Sequence, residues 1–501
     1  MIIEQDSRTY LTAINLQAPA TRGFLFVGGW VDLIMDNKNL KYIYPIIVGM
    51  VLWLAGPPSG LEENGYQIFV VFISVIISLI VRAVPMAISV LTGLSFSVMV
   101  GLISLKDALK GYSDSVTWLV VIAFLIAGVV IDTGLGRRIS LLCIHALGRS
   151  IIGLGYALCS AELILGPLVP SNTARGGGIL APIVDSMSRT LGSTPTQSSE
   201  KAGQYLHLVG AHANLITAAM FLTGMAANPL VSKAALDVFQ IEFDWLNWAL
   251  GSIVPGLAGL AGLPVLIRYL SPPTIKSIQP IRDKIKNDIK ALGPWTRSET
   301  FTASTLGIML FLWSTKPIHG WGTTTVALLG LITILLLNTI SWDQMVKNHK
   351  AWDTLIWLGG LLTLATSLKD LGFISWFAES IQQILTGISP GFLFLSLAII
   401  YFYSMYFFSM LTAHIAALVG AIFMVASGMD LNPFLIVGII AYFSNLCGCL
   451  TNYSTGPVII YYGNGYVQPM TWFKVGFLVS IYHMVVWLGV GSIWWKIIGW
   501  W

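Results

Sequence analysis

The stretch Pro170-Ser171-Asn172-Thr173-Ala174-Arg175-Gly176-Gly177-Gly178 interrupts an apolar run reaching from about residue 151 to 184. Proline ends a helix, because it lacks an N–H and crowds the preceding turn. Ser171, Asn172 and Thr173 then supply side-chain oxygens, and Gly176, Gly177 and Gly178 allow close backbone approach. A new helix follows through Leu180-Ala181-Pro182-Ile183. Its free N–H groups and positive dipole end suit a carboxylate. Such a break within an apolar run predicts a re-entrant helical hairpin, since irregular backbone at membrane depth survives only where protein or a wet cavity satisfies it.

The rest of the chain supplies the membrane. Of 501 residues, 55% are hydrophobic and only 10% charged, with mean hydropathy +0.78. A soluble domain carries about 25% charge, so most of this surface faces something other than water. Soluble enzymes, coiled coils, disordered scaffolds and secreted disulfide modules are excluded, and an all-α polytopic membrane protein is expected. A formal net charge of +4 points to no nucleic-acid partner. Cys143, Cys159, Cys447 and Cys449 lie in apolar segments without metal-ligand spacing. No metal or cofactor is expected, and no His-Glu-x-x-His or serine–aspartate constellation suggests an enzyme. The first 40 residues, with Glu4, Asp6, Asp32 and Asp36, resemble neither a signal peptide nor a transit segment.

A bilayer core of about 30 Å needs roughly 20 apolar residues as helix. Runs near 42–56, 67–84, 86–105, 117–135, 205–231, 246–270, 301–315, 322–340, 353–368, 433–462 and 471–495 predict about eleven crossings. A second hairpin is expected over 391–427, broken at Ser409-Met410-Leu411-Thr412-Ala413-His414. The fifth and tenth spans carry Gly/Pro breaks, at Thr223-Gly224 with Asn228-Pro229, and at Thr451-Asn452-Tyr453-Ser454-Thr455-Gly456-Pro457. Features therefore recur in one order in two halves, 42–273 and 301–501, after an N-terminal segment 1–41 and around an amphipathic linker 274–300. Opposed hairpins in two halves are the mark of an inverted-repeat transporter with its site near the midplane.

Basic residues set the orientation. Arg268, Lys276, Arg282, Lys284, Lys286, Lys290 and Arg297 mark the linker as cytoplasmic, with Arg137, Arg138, Arg149, Arg189, Lys347 and Lys350 on the same side. The N-terminus is then cytoplasmic, the C-terminus external, the first hairpin opens inward and the second outward, in a cell (inner) membrane. Arg175 is costly at midplane depth and calls for an anionic partner. That partner is either a substrate or Glu162, the one acid on the opposing arm. His414 takes in the second tip the place Arg175 holds in the first. His207 and His212 have no such counterpart.

Ser171-Asn172-Thr173-Ala174-Arg175-Gly176-Gly177-Gly178, together with Thr451-Asn452-Tyr453-Ser454-Thr455-Gly456-Pro457, resembles the divalent anion/sodium symporter (DASS) family. The nearest branch is its 2-oxoglutarate/malate translocators and citrate/succinate antiporters, and the resemblance runs from about residue 40 to the end. It implies a homodimer of inverted repeats working as an elevator, with a C4 or C5 dicarboxylate at the tips and no resident metal. It places Ser171, Asn172 and Thr173 in one half of the site and Thr412 in the other, where Ser409 can also donate a hydroxyl. Thr223, Ser454 and Thr455 lie beside them, with close backbone approach at Gly176, Gly177, Gly456 and Pro457.

One departure matters. Sodium-coupled members carry Ser-Asn-Thr at both tips, whereas this second tip reads Met410-Leu411-Thr412. Hard cations need several oxygen ligands, and Leu411 offers none. Arg175 and His414 stand as fixed charges in place of mobile cations. The expected activity is therefore sodium-independent exchange rather than sodium-coupled symport, because an unpaired fixed charge would make the empty carrier's crossing expensive.

Overall fold

The computed structural model describes residues 40–275, 277–384, 389–428 and 431–501. Segment 1–39 lies outside the described residues, and with it most of the expected N-terminal segment. Among the described residues all regular structure is helical. Seven helices of the described residues are long and apolar enough to cross a membrane, and five shorter apolar helices accompany them. Each apolar run named above folds as helix over most of its length.

The first half runs α1 (Leu40–Ala55), α2 (Glu63–Ile80), α3 (Met86–Met99), α4 (Ser115–Asp132), α5 (Leu135–Leu147), α6 (Ile151–Leu165), α7 (Ala181–Thr190), α8 (Gly203–Met220), α9 (Asn228–Phe239) and α10 (Trp245–Leu270). A linker helix α11 (Gln279–Leu292) follows. The second half runs α12 (Arg297–Ser314), α13 (Thr323–Leu336), α14 (His349–Asp370), α15 (Phe373–Ile384), α16 (Pro390–Tyr403), α17 (Leu411–Ser427), α18 (Pro433–Leu446), α19 (Gly456–Gly463), α20 (Pro469–Met484) and α21 (Gly491–Ile497). From α2 onward the order repeats. Two helices and a long span lead to an intermediate helix (α5, α15), then to a hairpin (α6–α7, α16–α17). A broken span follows (α8–α9, α18–α19), and a long helix closes each half.

Packing sorts these helices into two bundles. One joins α2, α3 and α4 to α12, α13 and α14, with α1 against α2; the other gathers both hairpins, both broken spans and α10. Within the second bundle each hairpin packs on the first arm of its own broken span and on the second arm of the other half's. The first hairpin meets α8 and α19, and the second meets α18 and α9. The broken spans cross through α8 and α18. This exchange of partners is a two-fold relation expressed in contacts.

The linker helix α11 shows why a charged segment can lie between apolar halves. Ile281 and Ile285 are buried, while Arg282, Lys286 and Lys290 face outward. Its end is clamped by the buried Arg138, whose Nε donates to Glu299 at 2.7 Å and whose Nη1 donates to the Gly293 carbonyl at 3.0 Å. Lys284 donates to the hydroxyls of Ser186 and Thr190 on α7. The linker is thereby docked on the first hairpin.

Candidate functional site

The first hairpin begins where Ser150 caps α6, its hydroxyl accepting from Gly153 N–H at 3.0 Å. The second arm reaches Thr190, beyond the expected 184. It also restarts earlier than the sequence suggests, as a π-helix over Thr173–Leu180 that continues into α7. Wide π turns are common at functional sites, and this one precedes Pro182, which removes a backbone donor. Ser171 caps the new helix, its hydroxyl accepting from Ala174 N–H at 3.1 Å and its carbonyl from Arg175 N–H at 2.9 Å. The three glycines therefore sit inside a helical arm, not in an open loop.

Two of those glycines serve packing. A methyl on Gly176 would fall 2.6 Å from Asn214 Nδ2, and one on Gly177 2.3 Å from Ile460 Cδ1. Across the interface, a methyl on Gly456 would lie 2.3 Å from the Thr173 hydroxyl. Pro457 opens α19 one residue later and is buried. These residues let the hairpin arm and α19 approach to backbone distance.

Both tips converge on Ser454–Thr455. From the first, Asn172 Nδ2 donates to the Thr455 hydroxyl at 3.1 Å. From the second, Leu411 N–H donates to the Ser454 carbonyl at 2.8 Å. Ser171, Asn172 and Thr455 are 4%, 5% and 7% exposed, and Thr173 and Thr412 are half-buried. Among the described residues the hydroxyls of Thr173 and Thr412 have no protein partner. Thr451, in the same break, has a buried hydroxyl without one. Two helix N-termini thus meet at Ser454–Thr455, with Thr173 and Thr412 next to the residues that make the contacts, a donor set for an anion.

Three expected residues have other duties. The Thr223 hydroxyl donates to the Pro167 carbonyl at 3.2 Å and accepts from Trp245 Nε1 at 3.1 Å. Ser454 is fully buried, its hydroxyl donating to the Gly448 carbonyl at 2.7 Å. The Ser409 hydroxyl donates to the Ile80 carbonyl at 2.8 Å.

Of the two partners open to Arg175, the structure supplies Glu162. Arg175 Nε lies 2.6 Å from Glu162 Oε2, and both side chains are fully buried. Nη1 donates to the carbonyls of Val169 at 2.9 Å and Gly224 at 3.2 Å, and Nη2 to the Thr217 hydroxyl at 3.2 Å. Asn214 Nδ2 reaches Glu162 at 3.0 Å and the Asn172 carbonyl at 3.2 Å. The expectation of an uncompensated guanidinium is corrected here: Glu162 balances its charge. A buried ion pair needs such additional hydrogen bonds to offset desolvation.

Aligning Thr173 with Thr412 places Glu162 on Tyr401 and Arg175 on His414. The second hairpin is braced at those positions, without charge on its partner. His414 Nε2 lies 2.8 Å from the Ser404 hydroxyl and 3.1 Å from the Tyr401 carbonyl, and its ring packs on Tyr401 and Phe408.

The sequence pattern singles out Glu162, and Asn228 only as part of a Gly/Pro break; it does not single out Asn214, Thr217 or Asn445. Asn228 spans the first break, donating to Ala218 and Phe221 carbonyls at 2.9 Å each, and accepts from Asn445 Nδ2 at 2.8 Å. Asn214 and Asn445 both stand in the last turns before a break, and that shared position was the available signal. A cavity of about 520 Å³ lies away from the tips, beside Gly178 and Pro182 and lined also by Arg137, Lys284, Asp132 and Asp288.

Residues 36–501 match the family described as "Sodium:sulfate symporter transmembrane region". The chain belongs to this family. It is 39% identical over 465 residues to "Putative malate transporter YflS" of Bacillus subtilis, covering 93% of this chain and 97% of that one. It is 36% identical to "Dicarboxylate transporter 1, chloroplastic" of Spinacia oleracea (91% and 81% covered). It is 33% identical to the "L-tartrate/succinate antiporter" of Escherichia coli K12 (91% and 98%). A solved structure, the YdaH transporter of Alcanivorax borkumensis, superposes with TM-score 0.53 at 13% identity, covering 88% of this chain and 99% of that one. That likeness concerns the fold alone. Family membership makes this member of the sodium:sulfate symporter family a multi-pass membrane transporter and not an enzyme.

Proposed function

We propose that the chain exchanges C4 and C5 dicarboxylates of the malate, succinate, fumarate and 2-oxoglutarate type across a cell membrane, without sodium. The observation that carries this reading is the convergence of both tips on Ser454–Thr455. Two helix N-termini and the hydroxyls of Thr173, Thr412 and Thr455 face an anion there, and the relatives named for malate, dicarboxylates and tartrate/succinate supply its class.

Arg175 supports sodium independence by occupancy rather than by naked charge. The oxygens within its reach, the Val169 and Gly224 carbonyls, the Thr217 hydroxyl and the Glu162 carboxylate, are the hard donors a small cation requires. The guanidinium holds them permanently. His414 occupies the matching position in the second hairpin. Exchange then follows from the open donors: a bound dicarboxylate satisfies the helix termini and hydroxyls, whereas an empty site would cross with them unsatisfied, at a desolvation cost.

The hairpin bundle moves as an elevator against α1–α4 and α12–α14, in an inverted-repeat homodimer with a cytoplasmic N-terminus and external C-terminus. Vesicles loaded with unlabelled malate, or with buffer, and given labelled 2-oxoglutarate outside test this reading. It expects uptake into loaded vesicles only; equal uptake into empty ones contradicts it. A sodium-coupled symporter is the rival, favoured by the family's description.

A further inference from the structure

Helix α2 ends in a terminal turn in which Ala83 N–H donates back to the Ser78 carbonyl at 3.0 Å. The residue before Ala83 must be left-handed, and it is Arg82, at φ +50°. The same turn closes α3, with Leu102 N–H on Ser97 and Gly101 at φ +76°, and α13, with Thr339 N–H on Ile334 and Asn338 at φ +50°. Glycine and asparagine are the residues this position ordinarily takes. A long β-carbon-bearing side chain there is strained, and strain of this kind persists where the side chain has a task.

The task is visible at the other end of the side chain. Arg82 Nη2 donates to the Ser409 carbonyl at 2.6 Å, in the tip of the second hairpin, and the Ser409 hydroxyl bonds back to Ile80. Arg82 is exposed, and among the described residues no Asp or Glu pairs with it. A guanidinium has five donors in a planar fork that matches a carboxylate. The one carbonyl that engages it leaves most of that fork open, two residues from the start of α17 and three from Thr412.

We propose that Arg82 is a substrate-positioning residue, whose guanidinium receives one carboxylate of the dicarboxylate beside the second tip. The inference rests on the dicarboxylate reading above. Arg82 belongs to the bundle of α2 and α3, while Ser409 belongs to the hairpin bundle. A carboxylate held between them touches both, so the contact exists only in the arrangement that brings the tip to the α2–α3 turn. Arg82 therefore acts on the anion at one face of the membrane and not at the other.

The test uses the purified full chain, with malate as probe. Arg82→Gly relieves the left-handed backbone, so its thermal midpoint should equal or exceed that of the wild type. Malate should raise that midpoint by clearly less than it raises the wild type's. In counterflow the half-saturating malate concentration should rise at least tenfold at one face and less than twofold at the other, and Arg82→Lys should recover part of the loss. A malate-induced shift as large as the wild type's, or equal changes at both faces, would overturn the proposal and leave Arg82 a structural staple. A wild-type protein that neither responds to malate nor exchanges any dicarboxylate would instead bring down the underlying reading, and this inference with it.

Discussion

The two hairpins occupy matching places in the two halves but are held by different chemistry. The first is braced between its arms by the Arg175–Glu162 ion pair, and the same groups bond to Thr217 and Asn214 of α8 and to the Gly224 carbonyl in the break. The second has His414 against the Tyr401 carbonyl and the Ser404 hydroxyl, with the Tyr401 hydroxyl on Ser444 of α18. Its tip is further bonded outward, to Ile80 and Arg82 of the other bundle. A fully buried charged network fixes the first hairpin to its own broken span. Among the described residues the second hairpin has no ion pair, and its tip is bonded across the bundle boundary instead.

The sharpest way to break this contrast is to remove half of the ion pair. Glu162→Gln leaves an uncompensated buried guanidinium and should cost about 3–5 kcal/mol, read as a collapse of the thermal midpoint in detergent. Glu162→Gln with Arg175→Gln should recover most of that loss, since neutral partners carry no such penalty; a double variant as unstable as the single would show that packing, not charge, holds the hairpin.

Smaller effects separate the close approaches. Gly456→Ala meets the β-branched Thr173 at 2.3 Å and should cost about 1–3 kcal/mol by overpacking. Gly177→Ala meets only the terminal methyl of Ile460, which can rotate away, and should cost less. Reversal of that order in thermal midpoints would mean the arm and α19 are not packed as described. His414→Phe should cost least, about 1 kcal/mol for the lost hydrogen bonds. A loss as large as that of Glu162→Gln would erase the distinction between the hairpins.

Much of this was readable in the sequence because polar residues within apolar runs are costly and so carry information. Ser171–Thr173 and Ser409–Thr412 marked the tips for that reason, and Glu162 stood out as the one acid opposite Arg175. Gly176, Gly177 and Gly456 read as positions of close approach, but a glycine that admits a ligand and one that admits a neighbouring helix look alike in one dimension. Thr223 and Ser454 sit in the right breaks, yet their hydroxyls are spent on local carbonyls that only the fold reveals. Arg82 went unseen because its signal is a left-handed backbone angle, which no side-chain pattern around it discloses. Asn214 and Asn445 were hidden in spans read only for hydropathy, where an amide resembles a tolerated exception.

The central claim is that Arg175 and its oxygens leave no place for a mobile cation. It is tested most directly by malate counterflow into malate-loaded vesicles with all sodium replaced by choline. The account predicts an unchanged initial rate. A rate that collapses in choline and returns with sodium would contradict it, and would require a cation site formed by other residues.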